Sequence, residues 1–436
     1  MTAINRRTLL GLGAGALALT ACTPGGGANP APAQSGSADG PVSGNLKVGW
    51  YGGAPVHTAM NKALSAFKSA NPSVTTAGTG VAFGDYWDKL ATETAGGTGP
   101  DVFRMSMTYF VEYASRGALM DLTPMVDKSI DTKSLDAGVK GSGLVSGKMY
   151  GIGQSSIMPA VFANQKMLDS VGGKLPADWT WESFRTWTTD FAKNAGPGKY
   201  GTSDLAGNFQ MFDVYARQQG VSQFTDDGKV NLTKDVVESW FSMWSDLRQA
   251  KAAPPQDVTS ASGSFETNVM TKGLAPVTYG WVQQVTFFQP LLKDATVIIG
   301  PMPQKTAGDL SGQFLKALDF WCISAKTQSQ AAAAKLVDFL VNNNAATKEI
   351  GLLLGVPPTK KAREQAAAAD AASKAAVNYV EQLGSKVGKA PGPWPRGYGE
   401  CLSSFTRASE SVGFGKATPA AAAQTFLNEA KAAVGG

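Results

Sequence analysis

The chain has 436 residues, 43% of them hydrophobic and 17% charged, and its 39 Lys and Arg against 34 Asp and Glu give a net charge of +5. The basic residues are scattered among acids without long runs, which argues against nucleic acid or another polyanion as a partner. One histidine, His57, and three cysteines leave no zinc or copper ligand set at workable spacing and a single base for any Ser or Cys nucleophile, so no cofactor or metal is expected.

At the start, Arg6-Arg7 precede an apolar run from Thr8 to Thr20 that ends in Leu19-Thr20-Ala21-Cys22. A cationic start, an apolar middle shorter than the ~20 residues a spanning helix needs, and small residues before a cut are the parts of a removable export signal, residues 1–21. The Leu-Thr-Ala-Cys ending resembles a bacterial lipobox, which implies that the mature chain starts at an acylated Cys22 anchored to the outer face of the cytoplasmic membrane. The paired arginines resemble a twin-arginine export signal, although ordinary export signals carry them too. Gly11, Gly13 and Gly15 lack the strand and the charged helix that a phosphate loop needs. Without Arg6 and Arg7 the mature charge is +5 − 2 = +3. Residues 22–44 are Gly, Pro, Ala and Ser with one charge, Asp39, a composition that predicts a flexible tether.

Beyond residue 44 the chain is longer than one hydrophobic core usually organises, so two lobes are expected. Leu46, Val48 and Trp50 alternate as in a strand, and Gly52-Gly53-Ala54-Pro55 breaks the pattern. Met60, Ala63, Leu64 and Phe67 then fall at helical spacing before Asn71-Pro72 and a second extended run from Val74. The alternation continues with a helix over Phe83–Thr94, a strand over Asp101–Met105 and a helix over Tyr109–Arg116, which sets the class as α/β. Residues 179–250 read as helical, and their Trp240, Phe241, Met243, Trp244 and Leu247 stripe as core. Val297-Ile298-Ile299 reads as a buried strand, followed by helices over 330–342, 361–383 and 419–433. Cys322 and Cys401 either bridge, as an exported chain permits, or stay separate; Cys322 also suits a small buried hydrophobe.

Taken together, several segments resemble the extracellular sugar-binding lipoproteins that feed ABC importers, the maltose-binding-protein-like family 1. Gly96-Gly97-Thr98-Gly99-Pro100-Asp101-Val102-Phe103 is similar to the family's approach to a Pro-Asp-Val strand, and Gly117-Ala118-Leu119-Met120-Asp121-Leu122-Thr123-Pro124 to the turn after the next helix. Gly147–Ile152 followed by Val161–Lys166 resembles the crossover between lobes, with Phe162 and Ala163 where the family usually has two aromatics. Trp179-Thr180-Trp181-Glu182-Ser183-Phe184, Thr278-Tyr279-Gly280-Trp281, Ile299–Pro303, Ala333–Leu340 and Gly355–Pro358 occur in the family's order. The resemblance implies a two-lobe, periplasmic-binding-protein-like (type II) α/β fold with discontinuous lobes joined by hinge crossings. Residues 45–155 and 302–341 are expected in one lobe, and 156–301 and 342–436 in the other. It also implies a monomer that closes on a carbohydrate ligand and delivers it to the permease subunits of an ABC importer.

A sugar presents an apolar C–H face and a ring of hydroxyls, so its site needs flat aromatics and planar polar groups. In open α/β sheets such groups collect where strands end. That rule nominates Trp50, Tyr51, Arg104 and Asp319, with Asp101 beside them; Trp50 equally suits core and Asp101 a loop brace. Gln154 lies at the first crossing, as cleft floor or hinge hydrogen bond. The family resemblance implies a stacking role for Trp281 and a cleft-reaching loop with Trp394, Arg396 and Tyr398, stiffened by Pro391, Pro393 and Pro395. Asp85 is also a candidate ligand residue, and the chief rival is a secreted glycan-active enzyme, for which Asp85, Asp88 and Asp101 are the carboxylates to consider. A scaffold without a small ligand is disfavoured by the aromatic loop from Trp394 to Tyr398, while a polyol or sugar phosphate stays open as the ligand.

Overall fold

The computed structural model describes residues 35–435. The expected export signal, the acylated Cys22 and the first part of the tether lie outside the described residues. The last part of the tether is docked: Gly36 N–H donates to the Asp121 carbonyl at 2.9 Å, and Ser37 N–H to Gln330 Oε1 at 2.7 Å. A Cβ on Gly36 would lie 2.6 Å from Met125 Cε, so this small residue fits where a larger one would clash. The expectation of a free tether up to residue 44 is therefore corrected over 35–44.

The chain opens with β1 (Gly44–Tyr51), α1 (Ala54–Ala70), β2 (Val74–Val81), α2 (Phe83–Ala95), β3 (Val102–Ser106) and α3 (Met107–Ser115). β1 pairs in parallel with β2 and β3, so all three strands end at one edge. Next come α4 (Ala137–Ser142), the β4 (Leu144–Val145) and β5 (Lys148–Met149) hairpin, and β6 (Ile152–Gly153). The chain then crosses to β7 (Pro159–Asn164), α5 (Gln165–Asp169), α6 (Trp181–Ala195), α7 (Phe209–Gln218), α8 (Lys234–Gln249), α9 (Gln256–Ala261), β8 (Val277–Trp281), α10 (Val285–Phe288) and β9 (Val297–Gly300). β7 is the centre of a three-stranded antiparallel sheet, ordered β8-β7-β9. β10 (Asp319–Ile323) returns to the first sheet, which is ordered β2-β1-β3-β10-β6. The remainder is helical: α11 (Gln330–Asn342), α12 (Asn344–Ile350), α13 (Lys360–Ala367), α14 (Ala371–Leu383), α15 (Tyr398–Gly413) and α16 (Pro419–Val434). This is the two-lobe α/β fold, with one main sheet in each lobe and the β4–β5 hairpin apart from both. No helix among the described residues is long and apolar enough to cross a membrane.

Three crossings lie side by side. Ile157 exchanges backbone hydrogen bonds with Lys316, and Ser156 N–H donates to the Val356 carbonyl at 2.7 Å. The expected boundaries shift accordingly. Residues 302–314 stay with the second lobe, where Gln304 exchanges backbone bonds with Trp179 and Trp181, so that crossing falls at Leu315–Ala317 instead of 302. The last one follows Leu354, because Ala346, Ile350 and Leu354 pack in the first lobe's core with Leu46, Met60 and Leu340. The single helix expected over 361–383 is two, because Asp370 accepts from Ser373 N–H and begins α14 as its cap. Cys322 and Cys401 are both buried free thiols, which removes the disulfide alternative.

Asp101 explains how β3 is held at the edge opposite the strand ends. Its Oδ2 accepts from Lys47 N–H at 2.8 Å and its Oδ1 from Thr327 Oγ1 at 2.6 Å, tying β1, β3 and the segment before α11. It is a brace, which corrects its nomination as a ligand residue. Asp101→Ala should cost about 1 kcal/mol of stability in urea unfolding, since it removes the acceptor of the Lys47 N–H and Thr327 hydroxyl bonds, while ligand affinity stays unchanged.

Candidate functional site

Parallel β1 and β3 end where antiparallel β10 begins, so Tyr51, Ser106 and Asp319 meet at one edge, with Gln154 just past β6. Arg104, buried at 7% exposure, organises them. Its Nη1 donates to the Tyr51 carbonyl at 2.9 Å and its Nη2 to Asp319 Oδ2 at 2.8 Å, and its guanidinium lies 4.0 Å from the Tyr51 ring centre. With its amide oriented to face donors, Gln154 accepts from Arg104 Nε at 2.9 Å and Nη2 at 3.1 Å. The Tyr51 hydroxyl donates to Asp319 Oδ1. Burial pushes the Tyr51 phenol well up, so it stays a donor at any ordinary pH. Four of the expected residues, Tyr51, Arg104, Gln154 and Asp319, thus form one network.

Beside it lies an aromatic group that the sequence reading missed. α2 begins directly after β2, and Phe83, Tyr86 and Trp87 share one face by helical spacing. Tyr51 is 5.1 Å from Phe83 and 5.3 Å from Trp87, and Trp87 is 4.3 Å from Tyr109 in the first turn of α3. Phe83 is 53% exposed, a large apolar ring open to solvent at this rim. Trp87 Nε1 is buried without a partner among the described residues. The signal was available as Phe83-x-x-Tyr86-Trp87 on a helix leaving a strand end, but it resembles ordinary core patterning.

Other nominations are corrected. Trp50 is 1% exposed, with its Nε1 donating to His57 Nδ1 at 3.1 Å, and belongs to the core. Asp85 is exposed in the first turn of α2, and Asp88 is exposed one turn on. Asp101, held as a brace by Lys47 and Thr327, is not free to serve as one of a carboxylate pair. Trp281 ends β8 but is only 8% exposed and packs 6.2 Å from Phe314, so it offers no open stacking face. Trp394 lies flat on Tyr398 at 4.0 Å, and Tyr398 is wholly buried near Phe209 and Phe224. Arg396 is exposed, where the loop turns against the end of α16 and a Cβ on Gly397 would lie 2.2 Å from the Ala433 carbonyl.

Two buried charges on the inter-lobe side also escaped the sequence reading. Lys316, in the second crossing, is wholly buried; its Nζ donates to the Pro391 and Gly392 carbonyls at 3.4 and 3.2 Å and sits 5.3 Å from the Trp394 ring. Burial brings its ammonium down to about 7. Asp213 on α7 is 4% exposed and borders a cavity of about 940 Å³ between α4 and second-lobe segments. Burial pushes its carboxyl up to about 6, against the opposing pull of Arg217 and Lys316. Each is a lone charge in an apolar run, Phe314-Leu315-Lys316-Ala317-Leu318 and Met211-Phe212-Asp213-Val214, which was the available signal.

An acid whose folded pKa lies above its unfolded value keeps its proton longer in the folded state. Its contribution to stability therefore falls as pH rises from about 4 to about 6 and stays low above that. Asp213→Asn should raise unfolding stability at pH 7.5 by on the order of 2–3 kcal/mol, with the gain vanishing near pH 4, in urea titrations at both pH values.

Residues 62–378 match the model of the bacterial extracellular solute-binding proteins. An extracellular solute-binding protein of family 1 from Alicyclobacillus acidocaldarius is 28% identical, at a TM-score of 0.73 over 91% of this chain and 100% of that one. A periplasmic oligogalacturonide-binding protein from Yersinia enterocolitica, solved with saturated digalacturonic acid, is 23% identical with a TM-score of 0.74 over 89% and 99%. The GacH receptor of Streptomyces glaucescens, solved unliganded and with acarbose, is 19% identical with a TM-score of 0.72 over 90% and 98%. Two lobes meeting at strand ends, and a family match across most of the chain, lead to one conclusion: this chain belongs to the bacterial extracellular solute-binding proteins.

Proposed function

We propose that the chain is the substrate-binding component of an ABC importer, capturing a mono- or oligosaccharide between its lobes and presenting it unchanged to the permease. The observation that carries this reading is the rim itself. Phe83, Trp87 and Tyr109 supply aromatic surface for a sugar's C–H face, directly beside the Arg104, Asp319 and Gln154 groups that suit its hydroxyls. The oligogalacturonide- and acarbose-binding relatives support carbohydrate as the ligand class. In this reading the second lobe closes over the rim, and closure is what the permease recognises.

Trp87→Ala should weaken binding of the cognate sugar by about tenfold to a hundredfold while circular dichroism stays unchanged. Calorimetry on a sugar found by thermal-shift screening measures this, since a ligand specific to the folded state raises stability as ln(1 + [L]/Kd). Unchanged affinity removes the rim as the site, and release of a cleaved product by the wild type removes the binding reading.

The ending Leu19-Thr20-Ala21-Cys22 places the mature protein, in this proposal, on the outer face of the cytoplasmic membrane through lipid on Cys22. Cys22→Ser should move the protein from the detergent-extracted membrane fraction to the soluble one. Intact mass of the wild type should show acylation and the loss of residues 1–21.

A further inference from the structure

Residues 35–44 lead into β1 along the edge of the first sheet opposite the rim. They run from Gly36, on the Asp121 carbonyl, to Gly44, whose N–H donates to the Ser73 carbonyl at 3.1 Å. A Cβ on Gly44 would lie 2.6 Å from Ser329 Oγ, and Ala38 packs against the first lobe's core, so the segment is held at both ends and between them. The thirteen Cα steps from Cys22 to Ser35 span at most about 45 Å. The rim stands one strand length, about 25 Å, beyond this edge. Such a span lets the lobe turn either edge toward a membrane, so the charges on the two edges decide.

Lys47 near the start of β1, Lys68 in the last turn of α1, Lys128 and Lys326 are all exposed at the edge opposite the rim. Lys47 Nζ donates to the Thr98 carbonyl at 3.3 Å and Lys326 Nζ to the Thr94 carbonyl at 3.4 Å, which sets both beside the loop after α2. Lys128 N–H donates to the carbonyl of Met125, the residue that Gly36 packs on. None of the four is in an ion pair among the described residues. Acids beside them are engaged: Asp101 braces β1 and β3, Glu93 pairs with Lys89, and Asp39 accepts from Ser37 Oγ at 3.0 Å. Val42, 40% exposed, adds apolar surface at the same edge. The rim edge is the reverse, with Asp85 and Asp88 exposed. The lysines are scattered in the sequence and share an edge only because four separate segments end or turn there.

We propose that this edge of the first lobe is a membrane-contact surface, on which Lys47, Lys68, Lys128 and Lys326 meet the phosphates of anionic lipid headgroups while the rim points into solution. An anionic surface attracts this edge and repels the one that carries Asp85 and Asp88. The attraction reaches about a Debye length, ~8 Å at physiological salt, so it acts once the anchor has brought the edge against the lipid. The orientation rests on the acylation of Cys22 proposed above; the lipid contact itself does not.

The first arm of the experiment uses residues 22–436 with Cys22→Ser, which carry no acyl chain, in cosedimentation with vesicles of phosphatidylcholine alone or with one third phosphatidylglycerol. Salt is set at about 0.02 M and about 0.5 M. The chain is compared with Lys47→Gln/Lys68→Gln/Lys326→Gln and with Lys251→Gln/Lys272→Gln/Lys293→Gln, which removes the same charge from exposed positions on the second lobe. The expected result is binding to the anionic vesicles alone, lost at high salt, weakened about a hundredfold by the first triple variant at about fivefold per lysine, and little changed by the second. Circular dichroism controls for folding, and the salt comparison decides even where a variant fails to fold. No binding at low salt, equal binding to neutral vesicles, or equal loss in both triple variants overturns the proposal. Soluble polyphosphate bound as tightly as the anionic vesicles would assign the lysines to a free polyanion and overturn it as well.

In the second arm, acylated protein in the same anionic vesicles carries a thiol-linked fluorophore at Val42→Cys or at Phe83→Cys. A lipid with a nitroxide headgroup should quench the first and spare the second; equal quenching overturns the orientation. A wild type whose intact mass shows no acyl chain counts against the Cys22 reading alone, and cosedimentation still decides the surface.

Discussion

A single buried guanidinium holds together segments that are far apart in the sequence. Arg104 on β3 reaches the end of β1 through the Tyr51 carbonyl, the start of β10 through Asp319, and the first crossing through Gln154. An ion pair at this depth is weak evidence for stability, because desolvation offsets most of its attraction. Its effect is geometric. Arg104 presents planar donors in a fixed fork, so the edge residues around it sit at set distances and angles instead of packing in several equivalent ways. The Tyr51 ring under the guanidinium and the Asp319 carboxylate beside it are fixed by the same contact, which makes the rim preorganised before any ligand arrives.

The hinge is built on a similar economy of chain. Three crossings run together, joined by backbone bonds of Ile157 with Lys316 and of Ser156 with Val356. Polar side chains then tie lobe to lobe. Asp136, just before α4, accepts from Ser156 Oγ at 2.9 Å and from Arg363 on α13 at 2.9 Å. Lys316 holds the loop around Trp394 by two carbonyls. Any rotation of one lobe on the other must strain or break these contacts, so the resting angle is set by hydrogen bonds near the axis as well as by apolar packing farther out.

The sequence carried the architecture more clearly than the site. Period-two runs such as Leu46-Lys47-Val48 and the helical spacing of Met60, Ala63, Leu64 and Phe67 report burial directly, and those elements form where the pattern places them. Strand ends could be located too, and with them Tyr51, Arg104 and Asp319. What the pattern could not separate was an aromatic ring in a core from one on a rim. Trp50 and Tyr51 are adjacent, yet β-strand alternation sends one against α1 and the other toward α2. Trp281, Trp394 and Tyr398 packed inward, while Phe83 and Trp87 on α2 reached the rim. Which face of a helix is open depends on the neighbour it lacks, and a sequence records only the neighbours along the chain. Asp213 and Lys316 were missed for the opposite reason: a charge in an apolar run looks like a surface residue until tertiary contacts bury it.

These placements bear on how binding couples to closure. One continuous apolar cluster includes Phe103 and Phe110 beside the first sheet and Trp281, Trp394 and Tyr398 in the second lobe, and α3 lies against α15 with Thr108 facing Gly399. The lobes are thus in contact here. Separating them exposes apolar surface at a cost of ~25 cal/mol per Å², so the closed arrangement has an intrinsic favourable component. Against it stand the two buried charges at the interface, Asp213 and Lys316, whose raised and lowered pKa values mark desolvation that opening would relieve. The balance is therefore between apolar burial that closes and charge burial that opens. A ligand needs to supply only the difference.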